Sequence, residues 1–184
     1  MSFENYRDLK GKIHVFKSVT YEKVMKMLEK FKTGVIFMGG SWCENCQAVV
    51  NIINKTAKKN KIRSINYFDP RFMNIFQEEV DLRDCEDLES KLNYYYLIEK
   101  IGYTSENLVP DTFIPRIAVP AIIGIKNGTC VGIIEDEYLL DDDVLHLKDS
   151  TEDKTEEYIK KLNELFQKVK EWVKTAQCVP FYFV

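Results

Sequence analysis

The sequence predicts an α/β fold in which a mixed β-sheet is flanked by helices. Three observations carry that reading. Short apolar runs alternate with helical patterns over residues 13–70, and strands separated by helices pair in parallel. The runs VPAIIGI (119–125) and TCVGII (129–134) flank Lys126-Asn127-Gly128, and an Asn-Gly pair between apolar runs is a strong hairpin signal. A long amphipathic pattern then covers about 151–174, enough for a final helix against the sheet.

Each element has a local reason. Ile13 to Phe16 (IHVF) reads as a first short strand. Thr20 then starts a helical pattern in which Tyr21, Val24, Leu28 and Phe31 form one stripe, and Gly34 ends it. Val35 to Met38 is too short for a helix and reads as a buried strand, broken by Gly39-Gly40-Ser41. Cys46, Val49, Val50, Ile53 and Ala57 mark the next helix. It closes in Lys58, Lys59 and Lys61, cations suited to a helix carboxyl terminus. Ile65 to Phe68 is a strand stopped by Asp69-Pro70. Residues 71–114 read as a helical stretch, with Asp84 as its cap, Leu88, Leu92, Tyr95 and Tyr96 as its apolar stripe, and Gly102 as its stop. In the last helix Tyr158, Ile159, Leu162, Leu165, Phe166, Val169, Trp172 and Val173 step by three and four.

Composition bounds the function. The 184 residues are 45% hydrophobic, too apolar for a wholly disordered chain, and the length suffices for one sizeable core without disulfides. A single domain over 1–184 is the expectation, since no repeat or flexible linker interrupts the pattern. The formal charge of −3 lacks the basic surplus of a dedicated nucleic-acid binder. No apolar run is long enough to span a membrane and no leader pattern opens the chain, so a cytoplasmic setting is expected. There, cysteines are more often catalytic or metal-binding than structural.

The chemistry concentrates in Cys43-Glu44-Asn45-Cys46, where a strand gives way to a helix. Unpaired N–H groups and the positive dipole end at a helix start stabilise a thiolate. The first cysteine of such a pair is therefore expected to be nucleophilic. The second, one turn further in, can resolve a mixed disulfide. Trp42 would shield one side of the reactive sulfur. Half of a zinc site and an inert core pair are the competing readings. A zinc site needs two more ligands, and no second C-x-x-C or paired histidine is present, His14 and His146 being isolated.

Two segments, GVIFMGGSWCENC (34–46) and VPAIIGIKNG (119–128), resemble the thioredoxin family. With flanking elements the resemblance covers about 13–70 and 116–173. It implies a thioredoxin-like sheet with a helical insertion at about 71–114. It further implies that Cys43 attacks, that Cys46 resolves, and that Val119-Pro120 is a cis peptide beside them that pairs with an extended substrate. The implied function is thiol–disulfide exchange on a disulfide-containing protein substrate. Electrons would come from a reductase or a small-thiol donor, without a bound organic cofactor. Three departures from the family stand out. Phe37 takes the position where the family often keeps a buried acid, so either another base, such as Glu44 or water, takes the resolving proton or the resolving step is slow. Glu-Asn separates the cysteines, and Glu44 should make the couple modestly reducing. Asp136 stands where thioredoxins carry a substrate-facing glycine.

Several features lack a motif. The stretch 71–114 carries Tyr94-Tyr95-Tyr96 and Cys85; a cover for the sheet edge and a selective partner surface are its two readings. Residues 133–157 hold eleven acids and two lysines, a local −9 that leaves +6 for the rest. Such a run suits a solvated loop and helix start, or the steering of basic partners. Cys130 reads as a small core hydrophobe, and Cys178 lies in the apolar terminal CVPFYFV.

Overall fold

The computed structural model describes residues 5–9, 11–73, 77–84, 87–135 and 152–170. A mixed sheet of five strands forms its centre, in the order β1 (Phe16–Ser18), β3 (Ile65–Phe68), β2 (Gly34–Met38), β6 (Ala121–Lys126), β7 (Thr129–Ile134). β1 and β2 both run parallel to β3, while β6 is antiparallel to β2 and to β7. The β6–β7 hairpin turns on Asn127 and Gly128, both at positive φ (49° and 77°). That backbone is the one an Asn-Gly turn supplies. The fold class is the one predicted, and it is consistent with a thioredoxin-like arrangement.

Alternation along β2 divides the core. Val35 and Phe37 face one side, with α2 (Glu44–Lys59) and α4 (Glu152–Lys170); Ile36 and Met38 face the other, with α1 (Tyr21–Glu29) and α3 (Leu88–Ile101). Every residue of β6 from Ala121 to Ile125 is buried, as expected of a strand covered by helices on both faces. Five residues of the predicted α4 stripe, Tyr158, Leu162, Leu165, Phe166 and Val169, are buried. Trp172 and Val173 lie outside the described residues. Among the described residues no helix is long and apolar enough to cross a membrane.

Local boundaries differ from the sequence reading where tertiary pairing overrides the pattern. The first strand begins at Phe16, because its parallel register sets Phe16 opposite Ile65, and Ile13 is exposed. Helix α1 ends at Glu29, leaving Phe31 at φ 49° and exposed, and Gly34 opens β2.

The largest correction concerns 71–114, expected as a helical stretch. Its first part is a two-stranded antiparallel sheet, β4 (Arg71–Met73) with β5 (Glu79–Asp81), and helix only follows as α3. The cap of α3 is Asp87, whose carboxylate accepts from the Ser90 N–H, while Gly102 closes the helix in the left-handed conformation as expected. Asp84 instead pairs with Arg116. The predicted stripe of α3 is also wrong. Leu88, Leu92, Tyr95 and Tyr96 are exposed, and the buried face is Tyr94, Leu97, Ile98 and Ile101. Apolar residues occur all round this helix, so periodicity could not tell which face the sheet would cover.

The insertion does more than cover an edge. Tyr94 accepts from the Ile117 N–H at 2.7 Å and donates to the Pro115 carbonyl at 3.0 Å. Arg83, 4% exposed, donates to the Ile117 carbonyl and forks onto Asp81 at 2.9 and 2.7 Å. Together they fix the backbone that leads into Val119-Pro120.

Candidate functional site

Cys43 is the N-cap residue of α2. Its extended backbone (φ −94°, ψ 119°) turns the sulfur back over the helix start, where Sγ accepts from the Cys46 N–H at 3.3 Å. One helical turn inward, Cys46 is fully buried, and both residues are present as thiols. A side chain in this position meets the orphan N–H groups and the positive end of the helix, an arrangement that favours negative charge on Cys43.

The Val119–Pro120 peptide bond is cis. The Val119 carbonyl accepts from the Cys43 thiol at 3.7 Å, so segments 76 residues apart in sequence meet at the sulfur. Trp42, the other expected substrate contact, is held from the insertion side. Its indole N–H donates to Asp69 at 3.0 Å, and the Arg71 guanidinium lies 3.7 Å above the ring. Asp69 and Arg71 were missed in the sequence. Asp69 read only as a strand stop, and Arg71 was assigned to a helix that does not form there. The Asp-Pro turn after β3 was the one signal available.

Close approach explains the glycines before the pair. A Cβ added to Gly39 would stand 2.7 Å from Cys46 Sγ and 3.3 Å from the Phe37 ring. Gly39→Ala is therefore expected to destabilise the protein by about 1–3 kcal/mol through overpacking. Chemical unfolding would measure the loss, and an unchanged midpoint would contradict the packing. At Gly40 the same added atom would collide with the Trp42 ring.

Phe37, in place of an acid, sits in an aromatic cluster with Phe16 (5.5 Å between centroids), Tyr67 (5.8 Å) and Tyr6 (6.2 Å). Tyr6 belongs to an N-terminal segment that had carried no functional expectation. Gln47 of α2 pins that segment, accepting from the Arg7 N–H and donating to the Asn5 and Ser41 carbonyls. Burial raises the pKa of both Tyr6 and Tyr67, with Cys46 and Asp69 adding to the effect. Glu44, by contrast, is on the exposed first turn of α2.

Cys130 is half-buried in β7 beside the second core cluster, and burial pushes its thiol pKa up, in keeping with a packing role. Cys85, Cys178, Asp136 and His146, and most of the acidic segment, lie outside the described residues. Among those described, no group of three or more His, Cys, Asp or Glu side chains is placed to hold a metal ion.

No family model matches the chain, and no curated protein matches it. Among solved structures it is similar to thioredoxin O2 from Arabidopsis thaliana in its oxidized state. The match has 15% identity and a TM-score of 0.36, covering 66% of this chain and 83% of that one.

Proposed function

We propose that this protein is a thiol–disulfide oxidoreductase acting on protein disulfides. One observation carries the reading: a C-x-x-C pair whose first sulfur caps a helix start and touches the carbonyl before a cis-proline, while the second is buried one turn below. The Cys43 thiolate attacks one sulfur of the substrate disulfide, and the other leaves as a thiolate. The Cys46 thiolate then attacks Cys43, forms the Cys43–Cys46 disulfide and releases the second substrate thiolate. Two electrons pass to the substrate, and a reductase or a small thiol restores the pair. Val119, Pro120 and Trp42 are the proposed substrate contacts, the Val119 backbone pairing with an extended chain.

The test is reduction of a generic protein disulfide with dithiothreitol as donor. Catalytic amounts of the protein should accelerate the reaction over dithiothreitol alone, and no acceleration would remove the enzyme reading.

A second reading, a thioredoxin-like binding or redox-sensing module for one specialised partner, is favoured by a groove of about 650 Å³ beside the site. Tyr21, Phe72, Met73 and Leu82 give it apolar walls, and Asp69 and Arg71 join it to Trp42. Phe72 and Met73 of the insertion are 40% and 55% exposed. This reading expects slow turnover on generic disulfides together with selective capture by Cys46→Ser. Capture of many unrelated proteins would contradict it.

A further inference from the structure

The chain leading into the cis-proline is irregular, yet its backbone polar groups are taken one after another by residues far away in sequence. From the insertion, the Tyr94 hydroxyl accepts from the Ile117 N–H at 2.7 Å and donates to the Pro115 carbonyl at 3.0 Å. Arg83 donates to the Ile117 carbonyl at 3.2 Å. Asn107 holds Arg116 twice: its carbonyl accepts from the Arg116 N–H at 2.8 Å, and its side-chain amide donates to the Arg116 carbonyl at 3.4 Å. From just beyond β7, Glu135 accepts from the Ala118 N–H at 2.8 Å. The Tyr103 hydroxyl lies 2.8 Å from both oxygens of that carboxylate and so orients it. Every backbone N–H and carbonyl from the Pro115 carbonyl to the Ala118 N–H is thus bonded. The next residue is Val119, whose carbonyl meets the Cys43 thiol. A connecting segment ordinarily leaves such groups to water and moves. Here Tyr94 and Arg83, 1% and 4% exposed, hold it from the interior.

We propose that Tyr94 and Glu135 are positioning residues that set the Val119 backbone for pairing with a polypeptide substrate. The proposal rests on the oxidoreductase reading above and gives the insertion a task within it. Pairing with an extended chain needs the receiving backbone in one conformation, and a backbone ordered beforehand loses no freedom when the substrate arrives. Tyr94 fixes the peptide two residues before Val119, and Glu135 fixes the residue directly before it. Cys43 is held separately, by the start of α2. The two tasks therefore separate: attack on a disulfide depends on α2, and docking of a polypeptide depends on the clamp. A small disulfide without a peptide backbone needs only the first, whereas a polypeptide disulfide needs both.

Two disulfides offered to the reduced protein separate these tasks. One is a self-quenched fluorescent peptide dimer joined through a central cysteine; the other is dithiobis-nitrobenzoate, which has no peptide backbone. Tyr94→Phe keeps the ring and removes both hydroxyl bonds. Glu135→Ala removes the acceptor of the Ala118 N–H, and Glu135→Gln keeps an acceptor oxygen there. In Tyr94→Phe and Glu135→Ala the second-order rate constant for the peptide should fall about 10–100-fold, the scale of misplaced positioning groups. The rate constant for dithiobis-nitrobenzoate should stay at the wild-type value, and Glu135→Gln should recover most of the peptide rate. An unchanged peptide rate in either folded variant overturns the role proposed for that residue. Equal losses on both disulfides overturn the proposal, because general loosening of the fold gives that result. A wild-type protein that reacts with dithiobis-nitrobenzoate but not with the peptide also overturns it, and leaves the thiol chemistry standing. A wild-type protein inert to both overturns the oxidoreductase reading itself, and the positioning role with it. Thermal unfolding identifies a variant that fails to fold; where that is Tyr94→Phe, the pair of variants at the half-buried Glu135 decides.

Discussion

Cys43→Ser is expected to reduce disulfide turnover to the rate of dithiothreitol alone. Covalent exchange begins with one sulfur, and a serine oxygen at the same helix start neither ionises nor attacks a disulfide under these conditions. Cys46→Ser should behave differently. Cys43 keeps its place under the Val119 carbonyl, so the first bond still forms, turnover stops after one event, and the substrate stays attached. A reduction assay together with intact mass after acid quench reads both outcomes. Residual turnover in Cys43→Ser would assign the chemistry to another thiol, and loss of the mixed disulfide in Cys46→Ser would remove the two-step scheme. The asymmetry between the variants is the informative quantity, because two inert core cysteines would give none.

Asp81→Asn is expected to cost about 3 kcal/mol of stability, because it strips the charge partner from a buried guanidinium. Arg83 is 4% exposed, and besides Asp81 it has the Ile117 carbonyl as acceptor. Arg71, stacked on Trp42, also approaches Asp81 at 3.8 Å. The loss should therefore loosen both the backbone before Pro120 and the Trp42 wall. Burial by itself would raise the Asp81 pKa, but the hydrogen bonds and charge of Arg83 outweigh it and hold the carboxyl below its ordinary value. The sign follows from linkage. A lowered folded-state pKa stabilises above the unfolded carboxylate range, and the contribution is lost as pH falls through the lowered value. Denaturant midpoints measured from neutral pH downward should fall in the wild type, with a flatter fall in Asp81→Asn. Equal acid dependence in the two proteins would contradict the pairing. A double variant, Asp81→Asn with Arg83→Met, should recover part of the loss, since no buried charge remains unpartnered.

The sequence determined a good deal of this. Periodicity of two and of about 3.6 is a local property, so the strands at 34–38, 65–68, 121–126 and 129–134 and the helices at 44–59 and 152–170 could be read from residue spacing. The turn at Asn127-Gly128 and the stop at Gly102 could be read from backbone preference. Cys43 and Cys46 were legible for the same reason: three residues across a helix start carry their geometry with them.

The remainder depended on contacts between distant segments. Nothing in 71–81 distinguishes a hairpin from a helix until Arg71 finds Trp42 and Asp81 finds Arg83. The buried side of α3 was fixed by which face met the sheet, so Tyr94 went inward and its neighbours Tyr95 and Tyr96 stayed out. Above all, the surroundings of Cys46 were invisible along the chain. Tyr6, Phe37 and Tyr67 come from three separate segments and share one core cluster with Cys46, the first tied down by Gln47 and the other two set side by side by the pairing of β2 with β3. Sequence spacing reports what a turn or a helix face can hold. The environment of a buried thiol is assembled from side chains far apart in the chain, and only the tertiary structure decides it.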